Sequence, residues 1–324
     1  MACAPRYDTR VASYKAPSYV DSTSLRSSVR ANVPHSTETM ATVREEVAAS
    51  DVEEVPFAPE LDFWDPTTSR ELKDVGTPSV QCLQKVRRDV LDIFAQPVPG
   101  VVIAPDEKDV TRIHGLLLGP PCTPYEGGFF RFVLKCPPDF PVQPPRVKLL
   151  TTDGGRVRFA PNLNEDGMIC LSLLGTWPGP AWNSSVHSLR TVLIAIQSLM
   201  TDEPYHNVPA LVRGRPDEAG AYNDFLVHET LRVAVCDEVE AALDLHSSYS
   251  PEIRKVVLRT FPELYDTHVE TVRLQMGRTA CEGSDPFGGR TTRYEYDKIL
   301  TRLRCLYDRV LKLSETGFSD LKVD

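Results

Sequence analysis

Four β-forming runs lie between residues 101 and 151, and the stretches joining them are too short for a crossover helix. The runs cover 101–104, 110–118, 129–136 and 146–151. Parallel neighbours need a dozen or more connecting residues, usually a helix, whereas antiparallel neighbours need only a turn. The connections include GPPCTPYEGG (119–128) and PPDFPVQPP (137–145). Their prolines and glycines preset turn geometry. The spacing therefore predicts an antiparallel four-stranded meander and argues against βαβ units. Many of the chain's 27 prolines fall in these connections.

Helices are expected on both sides of the meander. Thr77 suits an N-cap and Pro78 a first helical position. Val80, Leu83, Val86, Val90, Ile93 and Phe94 follow at helical spacing, with Lys85, Arg87 and Arg88 on the exposed face. Pro97, Pro99 and Gly100 end this helix. A mostly apolar helix is expected over 188–199. From 221 onward three helical patterns appear, the second interrupted at Pro262, with a loop containing DPFGG at 277–289. The fold class is α+β: a four-stranded antiparallel meander flanked by helices, plus a helical C-terminal extension.

The division expected is a disordered tail at 1–60, a linker at 61–76, a core at 77–210 and the extension at 211–324. Charge in the tail is segregated. Residues 1–44 hold six Lys or Arg against three acidic residues, and 45–65 hold eight acidic residues and no base. Such a segment is either a solvated tail or a docking region. Leu61, Phe63 and Trp64 interrupt it as a candidate latch onto the core.

Composition narrows the function. A net charge of −9 argues against a nucleic-acid partner. No apolar run approaches the length of a membrane span, and the N-terminal MACAPRYDTR lacks the apolar stretch of a secretion signal. The eight cysteines form no CxxC pair, so no zinc or other metal site is expected, and reduced thiols in an intracellular chain are. Cys82, Cys136, Cys236 and Cys305 fall on strand or helix patterns and suit packing. Cys122 and Cys281 lie in turns without evident chemical neighbours. Cys170 differs, because it sits in the polar loop APNLNEDGMICLSLLGTW (160–177). A loop cysteine carried by rigid strands is a candidate nucleophile. A thiol hydrolase would need a histidine beside it. His114, His187 and His206 are available, but no local pattern marks them.

The combined pattern is more specific than the cysteine. PYEGGFF (124–130), PPDFPVQPP, Pro161-Asn162, CLSLL eight residues after Asn162, a tryptophan and VLIAIQSLM (192–200) occur in fixed order. This resembles the ubiquitin-conjugating enzyme family over 78–209. GTWPGPAW, QSLMTDEPYHN, HETLRVAVCDE and DPFG extend the resemblance to about 64–315, within a branch of large enzymes paired with a second, non-standard activating enzyme.

The resemblance implies a catalytic Cys170 that accepts ubiquitin as a thioester from an activating enzyme and passes it to a lysine amine, usually with a RING-type or other ligase. A further ubiquitin-like modifier is an additional cargo implied by the branch. Asn162 matches an asparagine that either donates to the developing oxyanion or braces the active-site loop. The histidine that precedes Pro161-Asn162 in the family is replaced by Ala160, which puts loop packing in question. Ser172 stands where many members have an aspartate, so lysine orientation falls to His206, Tyr205 or Asp202. Lys85, Arg87 and Arg88 match the surface offered to the activating enzyme. Val142, Pro180 and Ala181 match the ligase grip, with Trp177 and Trp182 expected as loop anchors on the core. The resemblance further implies a monomer in cytoplasm and nucleus without a bound cofactor, ATP being used by the activating enzyme. The alternative is a non-catalytic ubiquitin-binding variant of the same fold.

Overall fold

A computed structural model describes residues 64–67, 76–208 and 216–315. The tail at 1–60 and the latch residues Leu61 and Phe63 lie outside them. The first helix, α1 (Val80–Ala95), is capped by Ser79 rather than Thr77, since Ser79 Oγ accepts the Cys82 N–H at 3.0 Å. Its buried face is Cys82, Val86, Asp89, Val90 and Ile93, while Val80, Leu83 and Phe94 are exposed. The expected apolar stripe is therefore rotated. Asp89 draws the face inward, because its Oδ2 accepts the Leu189 N–H at 3.1 Å while its Oδ1 takes Lys85 Nζ at 2.6 Å. That bond satisfies an otherwise unpaired amide at the start of α2 (Leu189–Gln197).

Strands β1 (Val101–Pro105), β2 (Arg112–Leu118), β3 (Phe129–Lys135) and β4 (Arg146–Leu149) form one antiparallel sheet in chain order. This is the expected meander. Ile103, Ile113, Leu117, Phe130, Phe132 and Leu134 face α1 and α2. The opposite face carries Ala104, Leu116, Leu118 and Phe129, and the C-terminal helices bury it.

In the extension, α3 (Pro216–Glu229) runs through a π-helical stretch (Thr230–Asp237) into α4 (Glu238–Leu243). Then come α5 (Pro251–Gln275), a hairpin of β5 (Glu282–Ser284) and β6 (Thr291–Arg293), and α6 (Tyr296–Glu315). Two expectations are corrected here. α5 continues through Pro262, where buried Val257, Leu258 and Phe261 just before it and His268 and Val269 after it hold the helix against the cost of a missing N–H. The 277–289 loop contains a strand, which its short polar sequence did not announce.

Several side chains join extension to core. Val235, Val239, Val257, Leu258 and Phe261 belong to the cluster that covers the sheet. Gly127 adopts φ +73°, and a Cβ there would lie 2.6 Å from His268 Cε1, so only glycine admits α5 this close. Glu238, 5 % exposed, accepts Arg131 Nε and Thr151 Oγ1, each at 2.6 Å, together with the Tyr249 hydroxyl. The Arg131 guanidinium also stacks on the Tyr249 ring at 4.0 Å. Arg232 reaches the core turn at Asp153, 2.7 Å away. Removing one partner of a buried ion pair leaves the other charge uncompensated, at a cost of about 3 kcal/mol. Glu238→Ala is therefore expected to lower the melting temperature by about 6–12 °C, as read by thermal denaturation of the full chain.

Among the described residues no helix is long and apolar enough to cross a membrane. Cys82, Cys136, Cys170, Cys236, Cys281 and Cys305 are free thiols.

Candidate active site

The segment after β4 folds back on itself to present Cys170. Leu149 N–H donates to the Gly167 carbonyl at 2.9 Å, which ties the loop to the sheet edge. Gly167 has φ +93°, and a Cβ there would fall 2.4 Å from the Leu149 carbonyl oxygen. Phe159 N–H donates to the Leu163 carbonyl at 3.1 Å, and the Tyr125 hydroxyl donates to the Phe159 carbonyl at 2.5 Å. Ala160 is fully buried inside this turn. The loop is thus closed by Tyr125 of the PYEGG turn and by its own backbone, without a histidine at 160.

Cys170 is 5 % exposed. Its N–H donates to the Asn162 carbonyl at 2.9 Å, and Asn162 Nδ2 faces the Cys170 carbonyl at 3.4 Å. These two contacts tie Asn162 to the Cys170 backbone across the loop. Asn162 Oδ1 is buried with no hydrogen-bond partner among the described residues. The Asn164 side-chain amide approaches the sulfur, its Nδ2 lying 3.7 Å from Sγ. Asn164 was missed from the sequence, although it stands in the same polar loop, two residues beyond Asn162. After the cysteine, Thr176 Oγ1 donates to the Ile169 carbonyl at 2.5 Å and accepts the Leu171 N–H at 3.0 Å, which fixes the exit.

Burial dominates the thiol's acidity and pushes it up to about 11. The Arg158 guanidinium opposes this, Asp166 adds to it, and the Asn164 amide favours the thiolate. Arg158 itself is held by Glu165 through Nε at 2.8 Å and Nη2 at 2.7 Å.

The remaining predicted residues divide by position. Asp202 and His206 are exposed, and Tyr205 is buried. Tyr205 donates its hydroxyl to Glu218 at 2.7 Å, and His206 pairs with Glu203 at 3.7 Å. None of the three hydrogen-bonds Cys170. His114 pairs with Asp106 at 3.6 Å, and His187 Nδ1 accepts the Asn183 N–H at 3.0 Å. No histidine hydrogen-bonds the cysteine among the described residues, so the structure assembles no thiol–imidazole pair.

On α1, Arg87 and Arg88 are exposed, but Lys85 is half-buried against Asp89, which corrects its place on the free basic face. Val142 is 69 % exposed, and Pro180 and Ala181 are exposed. Trp182 Nε1 donates to the Pro141 carbonyl at 2.7 Å and its ring packs on Phe140, which ties the segment after Ala181 to the turn before Val142. Trp182 is a loop anchor. Trp177 is 39 % exposed. At the other end of the same region, Lys148 Nζ bonds Asp65 at 2.6 Å and lies 5.7 Å from the centre of the Trp64 ring. No group of three or more His, Cys, Asp or Glu is gathered to hold a metal ion among the described residues.

Residues 85–214 match the family model described as ubiquitin-conjugating enzyme. Ubiquitin-conjugating enzyme E2 Z of Danio rerio is 45 % identical over 248 residues, covering 76 % of this chain and 74 % of the relative. The protein of the same name in Homo sapiens is 44 % identical over 254 residues, covering 78 % of this chain and 70 % of the relative. That of Xenopus tropicalis is 44 % identical over 248 residues, covering 76 % and 77 %.

Proposed function

The chain belongs to the ubiquitin-conjugating enzyme family and is a ubiquitin-conjugating transferase, and from that premise we propose that Cys170 carries ubiquitin as a thioester. The Cys170 sulfur attacks the thioester carbonyl on the activating enzyme, and the enzyme's thiolate leaves. A lysine amine then attacks the same carbonyl, loses a proton and expels the Cys170 thiolate, which leaves an isopeptide. A thioester suits this relay because its carbonyl remains electrophilic and a thiolate is a good leaving group.

The observation that carries the reading is a cysteine held on a rigid, braced loop with the Asn164 amide beside its sulfur and, among the described residues, no histidine bonded to it. Without such a base, water is poorly activated, and rate comes from positioning the reactants. A cysteine hydrolase would need an imidazole beside the thiol, and none bonds it among the described residues. A non-catalytic ubiquitin-binding variant would have no use for a cysteine set up in this way. ATP is consumed upstream, so the conjugating chain needs no cofactor of its own. Val142, Pro180 and Ala181, adjoining through Trp182, are the surface for a ligase. A second ubiquitin-like modifier would follow the same route.

The test is incubation with ATP, ubiquitin and each activating enzyme, followed by gels with and without thiol. The expected result is a thiol-labile adduct with at least one activating enzyme. Absence of any adduct would favour the binding-module alternative. The activating-enzyme face can be tested separately. Reversing Arg87 and Arg88 to glutamate is expected to slow loading about tenfold at low salt, with the difference shrinking as salt rises. Lys85 is not suited to this test, because its reversal would set a second negative charge beside buried Asp89.

A further inference from the structure

The extension reaches the Cys170 loop through the turn 285–289 between β5 and β6. Asp285 builds that turn. Its Oδ1 accepts the Phe287 N–H at 2.9 Å, and its Oδ2 accepts the Gly288 N–H at 3.0 Å. The same Oδ2 lies 4.0 Å from Arg158 Nε, and Asp285 is 3 % exposed. Arg158 is thus held between Glu165 of its own loop and a carboxylate of the extension. Arg158 and Glu165 are bonded at 2.8 Å within the loop that carries Cys170, and the Asn164 amide of that loop lies 3.7 Å from the sulfur; the charge of Arg158 favours the thiolate and that of Asp166 opposes it. The turn also touches the segment 204–207. The Phe287 ring lies 5.6 Å from Tyr205 and 5.2 Å from Tyr222 of α3. Since the Tyr205 hydroxyl bonds Glu218 of α3, both holds on Tyr205 come from the extension.

We propose that the turn 285–289 belongs to the active site, with Asp285 and Arg158 as positioning residues for Cys170 and Phe287 as the positioning residue for Tyr205. This rests on the reading of Cys170 as the thioester cysteine. Arg158 is the cation that favours the thiolate, and Asp285 offsets its charge while fixing its place. The extension then does more than cover the sheet, since a change in it is felt at the sulfur. Phe287 packs on Tyr205 and so fixes the segment 204–207, to which the resemblance assigns orientation of the incoming lysine; through that segment Phe287 acts on discharge.

The test uses the full chain and two readouts. The first is alkylation of Cys170 by iodoacetamide across pH, followed by peptide mass. Arg158→Gln is expected to move the midpoint up by about half a pH unit. Asp285→Asn is expected to move it down by a similar amount, because asparagine removes the offsetting charge while its Oδ1 still accepts one of the two turn N–H groups, the other bond being lost. Opposite signs are the signature, since a general disturbance of the loop would drive both variants the same way. Shifts in one direction, or no shift in either variant, would overturn the role of Asp285 and Arg158. The second readout is discharge of loaded ubiquitin to free lysine. Phe287→Ala is expected to slow it about fivefold, and Phe287→Leu, which keeps apolar contact with Tyr205, to recover most of the rate. Equal rates for Phe287→Ala and the parent chain would overturn the role of Phe287. If the parent chain loads no ubiquitin, the thioester reading itself fails, and the alkylation series still decides the Asp285 and Arg158 role.

Discussion

Ending the chain after Val208 is expected to leave a core that aggregates or melts far below the full-length protein. The helices of the extension bury the second face of the sheet, where Leu116, Leu118 and Phe129 are almost inaccessible. Returning three such side chains to water costs about 1.5–3 kcal/mol each, or about 5–9 kcal/mol together. Stabilities of whole domains are about 5–15 kcal/mol, so the loss is comparable with the total. Arg131 would also lose Glu238 and the Tyr249 ring, and Asp153 would lose Arg232. Size-exclusion chromatography and thermal melts of the shortened and full chains measure this. A shortened chain that stays monomeric and melts unchanged would mean that the extension is an independent module.

The second large effect concerns pH. With the Cys170 acidity pushed up to about 11 by burial, only about one thiol in ten thousand is ionised at pH 7. The thiolate is the reactive form, so raising pH increases its fraction. Alkylation of Cys170 is therefore expected to climb about tenfold per pH unit, a rise of roughly a thousandfold from pH 7 to 10. The climb should continue beyond the pH at which an unperturbed thiol has already levelled off. Peptide mapping separates this signal from the exposed Cys281 and Cys305. A plateau near pH 8 would show that burial does not control the thiol. The physical sense of such a site is restraint. A nucleophile that is largely protonated reacts slowly with stray electrophiles and depends on a docked partner to align its carbonyl.

The sheet was legible in the sequence because its determinants are local. Turn-forming prolines and glycines at 119–128 and 137–145 leave no room for anything but antiparallel neighbours. Cys170 was legible through the fixed order of motifs around it. What escaped depends on contacts distant in sequence. The face of α1 could not be placed from its own periodicity, because Asp89 is drawn inward by the Leu189 amide, far along the chain. Lys85 followed it inward, leaving Arg87 and Arg88 as the exposed bases. Pro262 reads as a helix break, yet packing around Phe261 outweighs one lost backbone bond. The short hairpin of β5 and β6 has no alternating apolar pattern to announce it. Its turn nevertheless carries Asp285 and Phe287, the residues that join the extension to the Cys170 loop. DPFG stood out as a motif, but only the folded chain brings it to Arg158 and Tyr205.

The most direct test of the account is ubiquitin loading of the parent chain beside Cys170→Ser and Cys170→Ala, each run with and without thiol. The account predicts a thiol-labile adduct for the parent, a thiol-resistant but hydroxide-labile ester for the serine chain, and no adduct for the alanine chain. A thiol-labile adduct that persists in Cys170→Ala would contradict it.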